Sequence, residues 1–257
     1  MSSKKKTIAR IGMASKGIVY VLIGILTALA AFGQGGNKSG SKDALQFLAA
    51  QSYGKILLIA IGLGLLAYLF YRFYQAFANS KNHDDDAKGY GKRVSYIISG
   101  LIYGFLGYTA LKMSLGNSSG GDSGFVTKLL NSDYGTIIAI AIAVILAGKG
   151  IYEFYTAYSG KYTENVEQME VDADAKSLLI KSGKMGFTAR GVVAGIMAFL
   201  FFKAGLQDRS KDIDKAQAFE FLQNEFGSIV LGIVAIGIAL YGVFMLIKSK
   251  YPDTNVN

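Results

Sequence analysis

The ionisable side chains within or beside long apolar segments are few, and they are the first candidates for chemistry. Arg72, Lys149 and Glu153 form one set, because Arg72 and Glu153 stand at corresponding places in two internal repeats and Lys149 lies four residues before Glu153. If these helix faces point inward, Arg72 and Glu153 pair and close one end of a helix bundle. Alternatively, the cations reach lipid headgroups and Lys149 pairs with Glu153 on its own helix. The spacing leaves both interpretations open.

Further cations recur at the two ends of the apolar segments. Those near the segment starts are Arg10, Lys16, Arg93, Lys184 and Arg190. They predict contacts with anionic lipid headgroups or with an anionic solute, although positive charge that only anchors the chain at a membrane surface has the same pattern. Lys112 and Lys203 occupy corresponding places at the other ends, where they either guard an entrance for anions or mark the membrane interface.

Composition excludes most catalytic and metal chemistry. The chain has no cysteine and one histidine, so thiolate catalysis and cysteine-ligated zinc are excluded and a haem or polyhistidine site is disfavoured. His83 precedes three aspartates at 84–86, but this spacing matches no calcium loop and predicts a solvated polar loop. Glu153 is the one carboxylate within the predicted membrane spans. We therefore expect no metal site, no cofactor and no enzymatic activity.

The apolar segments that must position these groups have the length of membrane spans. Of the 257 residues, 51% are hydrophobic, which is too apolar for an ordinary soluble domain. Hydropathy predicts six transmembrane helices at residues 16–32, 56–77, 94–113, 136–158, 185–202 and 229–247. A lipid-exposed backbone must satisfy its own hydrogen bonds, and the alternation typical of membrane strands is absent. We predict an all-α, polytopic membrane protein.

Three internal repeats organise these six helices. A pattern of cation, glycine and tyrosine recurs at offsets of 83 and 174, and a later aromatic-glycine pair recurs at offsets of 81 and 173. The signature glycines are Gly17, Gly54, Gly100, Gly135, Gly191 and Gly227. We predict a single membrane domain over residues 1–257, with repeats at 8–78, 90–159 and 178–250 and cytoplasmic loops at 79–89 and 160–177. The repeats predict three tandem helical hairpins in a pseudo-threefold arrangement.

Glycine and aromatic residues indicate how the hairpins pack. Gly100 with Gly104 and Gly191 with Gly195 predict close helix contacts within the chain. Because the chain has no tryptophan, tyrosines near the inner helix ends are expected to anchor the membrane interface; they include Tyr68, Tyr71, Tyr74, Tyr152, Tyr155 and Tyr158. Short amphipathic helices are predicted in the outer loops at residues 44–51, 125–131 and 215–226, as connectors or as a lid or partner surface.

Basic residues are distributed unequally between the two sides of the predicted helices. Of the 27 Lys and Arg residues, 18 fall on the side of both termini, whereas the 18 acidic residues divide 10 to 8. The positive-inside rule therefore places both termini in the cytoplasm, and the net charge of +9 signals orientation rather than a nucleic-acid partner. The first segment imitates a signal peptide, but the same element recurs internally, so we predict an uncleaved first helix.

The repeats carry parts of three short motifs. Arg-x-Gly-x-x-Ala-Arg-Gly is matched by Arg10, Gly12, Lys16 and Gly17 and by Lys184, Gly186, Ala189, Arg190 and Gly191. Ala-Leu-x-x-Leu-Ala-x-Gln-Pro-Phe-Gly is matched by Ala44, Leu45, Leu48, Ala49, Gln51, Tyr53 and Gly54, with Ser52 in place of proline and Tyr53 in place of phenylalanine. Tyr-x-x-Trp-Arg-x-x-Gln-Ala is matched by Tyr68, Arg72, Gln75 and Ala76, with Tyr71 in place of tryptophan. The middle repeat departs most, with Ser95 and Ser99 in place of the expected glycine and arginine.

In combination, these motifs resemble the bacterial membrane-protein family called domain of unknown function 1206. The resemblance covers about residues 8–250 and implies three copies of a two-helix unit in a bacterial inner membrane. It implies no activity, because the family has none agreed.

Two functions are compatible with these features. The first is a structural or interaction module that binds lipid, with anionic headgroups on the cytoplasmic side, or another membrane protein. The second is a channel- or transporter-like conduit for a small solute or ion along the pseudo-threefold axis, gated near Arg72 and Glu153. Transporters often use broken helices at the membrane midplane, and the one proline, Pro252, lies outside the predicted spans. This favours the first function.

Overall fold

The structure, a computed structural model, describes residues 3–34, 36, 38, 40–77, 87–116, 132, 134–167, 172–206 and 215–250. Throughout this part of the chain, the regular elements are α-helices and there is no strand. The helices are α1 (Ser3–Ala31), α2 (Ser41–Ala49), α3 (Gly54–Phe77), α4 (Ala87–Ser114), α5 (Gly135–Tyr158), α6 (Lys161–Glu167), α7 (Ala173–Leu206) and α8 (Lys215–Lys250). The predicted all-α class is confirmed.

Six of these helices are long and apolar enough to cross a membrane. The candidate spans are Thr7–Ala31, Gly54–Phe77, Gly89–Ser114, Gly135–Tyr158, Ala173–Leu206 and Gln217–Lys250. This confirms the prediction of six membrane helices. The helices α1, α4 and α7 begin well before the predicted spans, in segments that contain several Lys and Arg residues. Lys and Arg lower the hydropathy but are good helix formers, so the backbone stays helical through them.

The segment predicted as a loop at 160–177 contains a helix and the start of another. Gly160 has a φ of 72°, which ends α5 and lets the chain turn into α6. Asp172 then begins α7 by accepting a hydrogen bond from the backbone N–H of Ala175 at 2.7 Å, a normal N-cap contact. The hydroxyl of Tyr162 on α6 donates to the carbonyl of Ile180 on α7 at 2.7 Å. The loop is therefore folded onto the following span.

Two of the three predicted outer-loop helices are present. The first is α2, in which Asp43 accepts a hydrogen bond from the N–H of Gly40 at 2.7 Å and so satisfies one unpaired donor at the helix start. The third is the first part of α8, which is interrupted at Gly227 with φ 83° and ψ 170°. That backbone conformation is accessible to glycine and accounts for Gly227, whereas the equivalent Gly54 and Gly135 have no positive φ. The predicted helix at 125–131 lies outside the described residues, as does the polar run at 83–86.

The helices belong to two compact units. The first comprises Met1–Val19, Leu45–Ser118 and Gly242–Asn257, and the second comprises Tyr20–Ala44 and Ser119–Tyr241. Within the first, α3 packs along α4, and within the second, α5 packs along α7. Glycine allows both contacts: a Cβ atom on Gly107 would lie 2.9 Å from the carbonyl oxygen of Gly62, and one on Gly150 would lie 3.2 Å from that of Gly191.

Candidate functional site

In the first unit, two cations meet at one buried hydroxyl. The Nζ atom of Lys16 lies 3.4 Å from the hydroxyl oxygen of Tyr68, and Nε of Arg72 donates to the same oxygen at 2.7 Å. Arg72 also donates through Nη1 to the side-chain oxygen of Gln75 at 2.9 Å. Tyr68 is 1% exposed and Lys16 is 4% exposed, so this contact lies inside the protein.

Aromatic faces surround the two cations. Lys16 Nζ lies 5.2 Å from the ring centroid of Tyr68 and 4.8 Å from that of Tyr103. Arg72 Cζ lies 5.0 Å from the centroids of both Tyr68 and Tyr96. Each distance is within the range of a cation–π interaction, which strengthens when water is excluded. We call Lys16, Arg72, Tyr68, Tyr96 and Tyr103 the first cluster.

A glycine in α1 brings these residues together. A Cβ atom on Gly12 would lie 2.8 Å from Cα of Tyr68, so only a residue without a side chain allows α1 to approach α3 this closely. Lys16 follows Gly12 by four residues, which places it one turn further along the same helix face. The Gly-x-x-x-Lys spacing of α1 thus delivers the cation to the tyrosine of α3.

In the second unit, a buried ion pair occupies a similar setting. Nη2 of Arg190 lies 2.7 Å from Oε1 of Glu153, and the two side chains are 11% and 7% exposed. The guanidinium carbon of Arg190 lies 4.1 Å from the ring centroid of Tyr241 and 5.5 Å from that of Tyr20. We call these four residues the second cluster. Unlike the first cluster, it contains a carboxylate.

The two clusters are built from equivalent residues of different repeats. The equivalent pairs are Gly12 and Gly186, Lys16 and Arg190, Tyr68 and Tyr241, and Tyr103 and Tyr20. Gly186 performs the same steric role as Gly12, because a Cβ atom on it would lie 2.6 Å from Cβ of Tyr241. In repeat 2 the corresponding positions hold Ser95, Ser99 and Lys149. Repeat 2 therefore lacks the glycine, the cation and the tyrosine at all three of these positions.

The first membrane helix of every repeat, α1, α4 or α7, makes an equivalent glycine contact. A Cβ atom on the glycine that follows the cation position would meet a side chain on the second membrane helix of another repeat. The contacted helix is α8 for α1, α3 for α4 and α5 for α7. The contacts are Gly17 with Leu246 at 2.9 Å, Gly100 with Phe73 at 3.2 Å and Gly191 with Phe154 at 3.0 Å. We call these the three junctions. The residues adjoining each junction in sequence are Lys16 and Met245, Ser99 and Arg72, and Arg190 and Glu153.

A small cavity adjoins the second cluster. Its volume is about 40 Å³, and its polar lining residues are Lys149, Arg190 and Tyr20. The remaining lining is apolar and includes Met197 and Phe219. A space of this size accommodates a water molecule or a similarly small solute.

Arg72, Lys149 and Glu153, which the sequence groups as one set, lie in different surroundings in the structure. Arg72 belongs to the first cluster, where its hydrogen-bond partners are neutral, and Lys149 lines the cavity. Glu153 pairs with Arg190, a cation that sequence reasoning placed in the headgroup set. Sequence spacing alone missed this pair because the two residues lie in consecutive repeats, on α5 and α7.

The predicted headgroup cations also separate into two groups. Lys16 and Arg190 are drawn into the clusters, whereas Arg10 and Lys184 are exposed. Nζ of Lys184 lies 5.1 Å from the ring centroid of Tyr158, and Cζ of the half-buried Arg93 lies 5.4 Å from that of Tyr90. At the opposite helix ends, Lys112 and Lys203 lie in the last turns of α4 and α7. Of the signature glycines, Gly227 is exposed; the buried ones are Gly17, Gly54, Gly100, Gly135 and Gly191.

The tyrosines are the residues that sequence reasoning undervalued. Tyr68 is expected at the membrane interface but is buried, whereas Tyr152, Tyr155 and Tyr158 are exposed. The available signal was the recurrence of tyrosine at 68 and 241 alongside the cations at 16 and 190. The tyrosines recur at an offset of 173 and the cations at 174, and recurrence of both types between the same two repeats indicates that they act together.

Comparison with known proteins gives a family and no activity. The family model described as "Domain of Unknown Function (DUF1206)" matches residues 11–79, 94–160 and 185–251. A relative, "Uncharacterized protein YxxB" of Bacillus subtilis (strain 168), is 25% identical over 251 residues, which cover 96% of this chain and 90% of the relative. No solved structure matches the chain. The three matched ranges confirm the three tandem repeats, and the chain belongs to the DUF1206 family.

Proposed function

We propose that the protein is a non-enzymatic membrane module that binds lipid or another membrane protein. The observation that carries this proposal is that the charged residues within the spans are bound by other side chains of the protein. Glu153 is neutralised by Arg190 at 2.7 Å, and Lys16 and Arg72 are held by the hydroxyl of Tyr68 and by tyrosine rings. Buried charges that bind one another and their aromatic neighbours hold helices together and leave little free polar surface to line a passage.

The absence of catalytic activity is part of the same proposal. It rests on the lack of cysteine and on the single histidine, which leave few residues for nucleophilic, metal or acid–base chemistry. Among the residues with described positions, no three His, Asp or Glu side chains come together in an arrangement that could hold a metal ion.

We further propose a bacterial inner-membrane location with both termini in the cytoplasm. The support is the 18 of 27 Lys and Arg residues on the terminal side and the relationship to a Bacillus protein. Exposed Arg10 and Lys184 would then face anionic headgroups of the inner leaflet. The basic excess is accounted for by the membrane, so no nucleic-acid partner is proposed.

A conduit for a small ion or solute is the second candidate, and one observation favours it. The cavity of about 40 Å³ is a water-sized space lined by Lys149 and Arg190, and Arg190 is the ion-pair partner of Glu153, one of the two residues expected to gate such a path. Its remaining lining is apolar, and a conducting path needs polar groups or water along its whole length. We therefore rank it second.

A flux assay in proteoliposomes separates these two functions. The module predicts no flux of Na⁺, K⁺, Cl⁻ or H⁺ above that of empty liposomes, for the wild type and for Arg72→Ala and Glu153→Ala. Flux that the wild type supports and that either substitution alters would overturn the proposal in favour of the conduit. Lys203→Ala, which removes an exposed charge from the other end of α7, is the matched control.

A further inference from the structure

The short helix α6 docks on α7 through two anchors. Tyr162 and Val166 are 7% and 1% exposed, and because they lie four residues apart they occupy the same face of α6. The hydroxyl of Tyr162 donates to the carbonyl of Ile180 at 2.7 Å. A helix of seven residues is too short to be stable alone in water, so α6 keeps its structure through this docking.

A series of ring contacts leads from α6 into the second cluster. The ring centroid of Tyr162 lies 5.3 Å from that of Phe187, which lies 5.5 Å from that of Tyr241. The centroid of Tyr241 in turn lies 4.1 Å from the guanidinium carbon of Arg190, the ion-pair partner of Glu153. Each distance is within the range in which two rings, or a ring and a cation, attract each other. Tyr162 is thus connected to the buried ion pair through two aromatic rings.

The spacing along α7 explains why these contacts line up. Ile180, Phe187 and Arg190 are separated by seven and three residues, so they share one face of the helix. The face extends over about 15 Å from Ile180 to Arg190. In contrast, α6 lies outside the two candidate spans Gly135–Tyr158 and Ala173–Leu206. A helix outside the spans is thereby connected to charges within them.

The ring of Tyr241 supports the ion pair from one side. It contacts the rings of Phe187 and Tyr20, with centroids 5.5 and 4.9 Å away, and these contacts fix its orientation toward Arg190. A buried ion pair offsets the cost of leaving water only with good geometry and close supporting partners. If Phe187 moves, the Tyr241 ring can turn away from Arg190, and the contact with Glu153 weakens.

We propose that α6 is a latch for the second cluster. Docked α6 holds Phe187 and, through it, the Tyr241 ring against Arg190, whereas released α6 loosens the ion pair. A change at the membrane surface that detaches α6 therefore opens a buried site within the spans. The latch does not rest on the proposed function, because it applies to a binding module and to a conduit alike.

The lack of natural cysteine allows one introduced thiol to report local opening. Ala194 is 6% exposed, lies one turn after Arg190 and lines the cavity that adjoins the second cluster, whereas Ala110, in the first unit, is 0% exposed. The rate of modification by a small neutral thiosulfonate is measured for Ala194→Cys and for Ala110→Cys, in the full-length protein in nanodiscs. The thiol at 194 reports the second cluster, and the thiol at 110 reports general loosening.

Two substitutions release the latch. Tyr162→Phe removes the hydrogen bond to α7, and Phe187→Met removes the connecting ring but keeps an apolar side chain, the one that repeat 1 has at the equivalent Met13. Each should make modification at 194 at least about fivefold faster, a factor that corresponds to the loss of one hydrogen bond, and leave the rate at 110 unchanged. Tyr158→Ala, which removes an exposed ring at the end of α5, is the matched control and should change neither rate.

The reverse experiment places the thiol on α6. Coupling between two sites is reciprocal, so breaking the ion pair must weaken the docking of α6. Modification of Val166→Cys should become at least about fivefold faster when Glu153→Gln is added, and should not change when Lys203→Ala is added. A contact that only stabilises α6 would not respond to Glu153, so this readout identifies the latch.

Three results would contradict the latch. The first is a rate at 194 that Tyr162→Phe and Phe187→Met leave unchanged. The second is an equal rise at 194 and 110, which indicates general loosening of the protein. The third is a rate at 166 that does not respond to Glu153→Gln. None of these results depends on flux or on lipid binding, so the proposed module can stand if the latch fails.

Discussion

At the scale of single residues, the recurring unit is a glycine, a cation one helical turn later, and a tyrosine on the neighbouring helix. Gly12 and Gly186 each lie against the tyrosine of their own repeat, Tyr68 and Tyr241. The sequence motifs contain the glycine and the cation, so these were predictable. The tyrosine partner was not, because a tyrosine near a helix end is equally typical of an interface anchor. Its role depends on which way the helix face is turned.

Replacing Gly186 by alanine tests this unit. The new Cβ atom would meet Cβ of Tyr241 at 2.6 Å, so α7 and α8 must separate or Tyr241 must move away from Arg190. We expect Gly186→Ala to lower the free energy of unfolding by about 1 to 3 kcal/mol, the usual range for overpacking. Chemical or thermal unfolding in detergent measures the change.

Gly148→Ala is the matched control for this substitution. Gly148 also lies within a membrane helix, but a Cβ atom there meets nothing within 4 Å. We expect the stability to remain within about 1 kcal/mol of the wild type or to rise, because alanine is the better helix former. Equal destabilisation by both substitutions would contradict the steric role assigned to Gly186.

At the scale of elements, the best-predicted features are the membrane helices and the least predicted is α6. Apolar length identifies a span directly, whereas α6 has only seven residues and its sequence, from Lys161 to Glu167, reads as a polar loop. What holds α6 in place is tertiary: Tyr162 donates to the carbonyl of Ile180, and its ring centroid lies 5.3 Å from that of Phe187. Contacts with a partner helix cannot be read from a short segment alone.

The docking of α6 should depend on pH. Burial raises the pKa of the Tyr162 hydroxyl above its ordinary value, because the phenolate would lose hydration. A group whose pKa is raised on folding contributes stability below its ordinary pKa, about 10 for tyrosine, and that contribution is lost as the pH rises through the raised pKa. We expect the difference in melting temperature between the wild type and Tyr162→Phe to be constant near neutral pH and to shrink above about pH 10.

Tyr53→Phe provides the comparison for this pH profile. Tyr53 is 76% exposed, so removing its hydroxyl should leave the difference in melting temperature from the wild type small and independent of pH. A profile for Tyr162→Phe that runs parallel to the wild type up to high pH would show that the hydroxyl is not protected by the contact between α6 and α7.

At the scale of the whole molecule, the internal repeats are the feature that the sequence predicts most reliably. The offsets of 83 and 174 predict three copies of a two-helix unit, and the three family matches confirm them. The pseudo-threefold arrangement stays a prediction. Equivalence between repeats cannot reveal where they differ in charge partners, which is why the pair of Arg190 and Glu153 emerged only from the structure.

The orientation in the membrane is tested on the intact chain. We expect a tag fused after residue 257 and a tag fused before residue 1 to be inaccessible to a membrane-impermeant reagent in intact cells and accessible after lysis, because most Lys and Arg lie on the terminal side. A cysteine introduced at Lys38, in the loop between α1 and α2, should show the opposite accessibility. Labelling of either terminal tag from outside would contradict the assigned topology.

The single carboxylate among the three junctions has a consequence for how such a protein arises. A homotrimer of one hairpin must place the same residue at all three junctions, so a glutamate or an arginine at the position of Glu153 would appear three times over. Fusion of three copies into one chain removes that constraint, and each junction can then change independently. Glu153, Arg72 and Met245 occupy equivalent positions in the three repeats. The covalent linkage of the repeats is thus what permits one junction to hold the ion pair of Arg190 and Glu153 while the equivalent positions of the other two hold Arg72 and Met245.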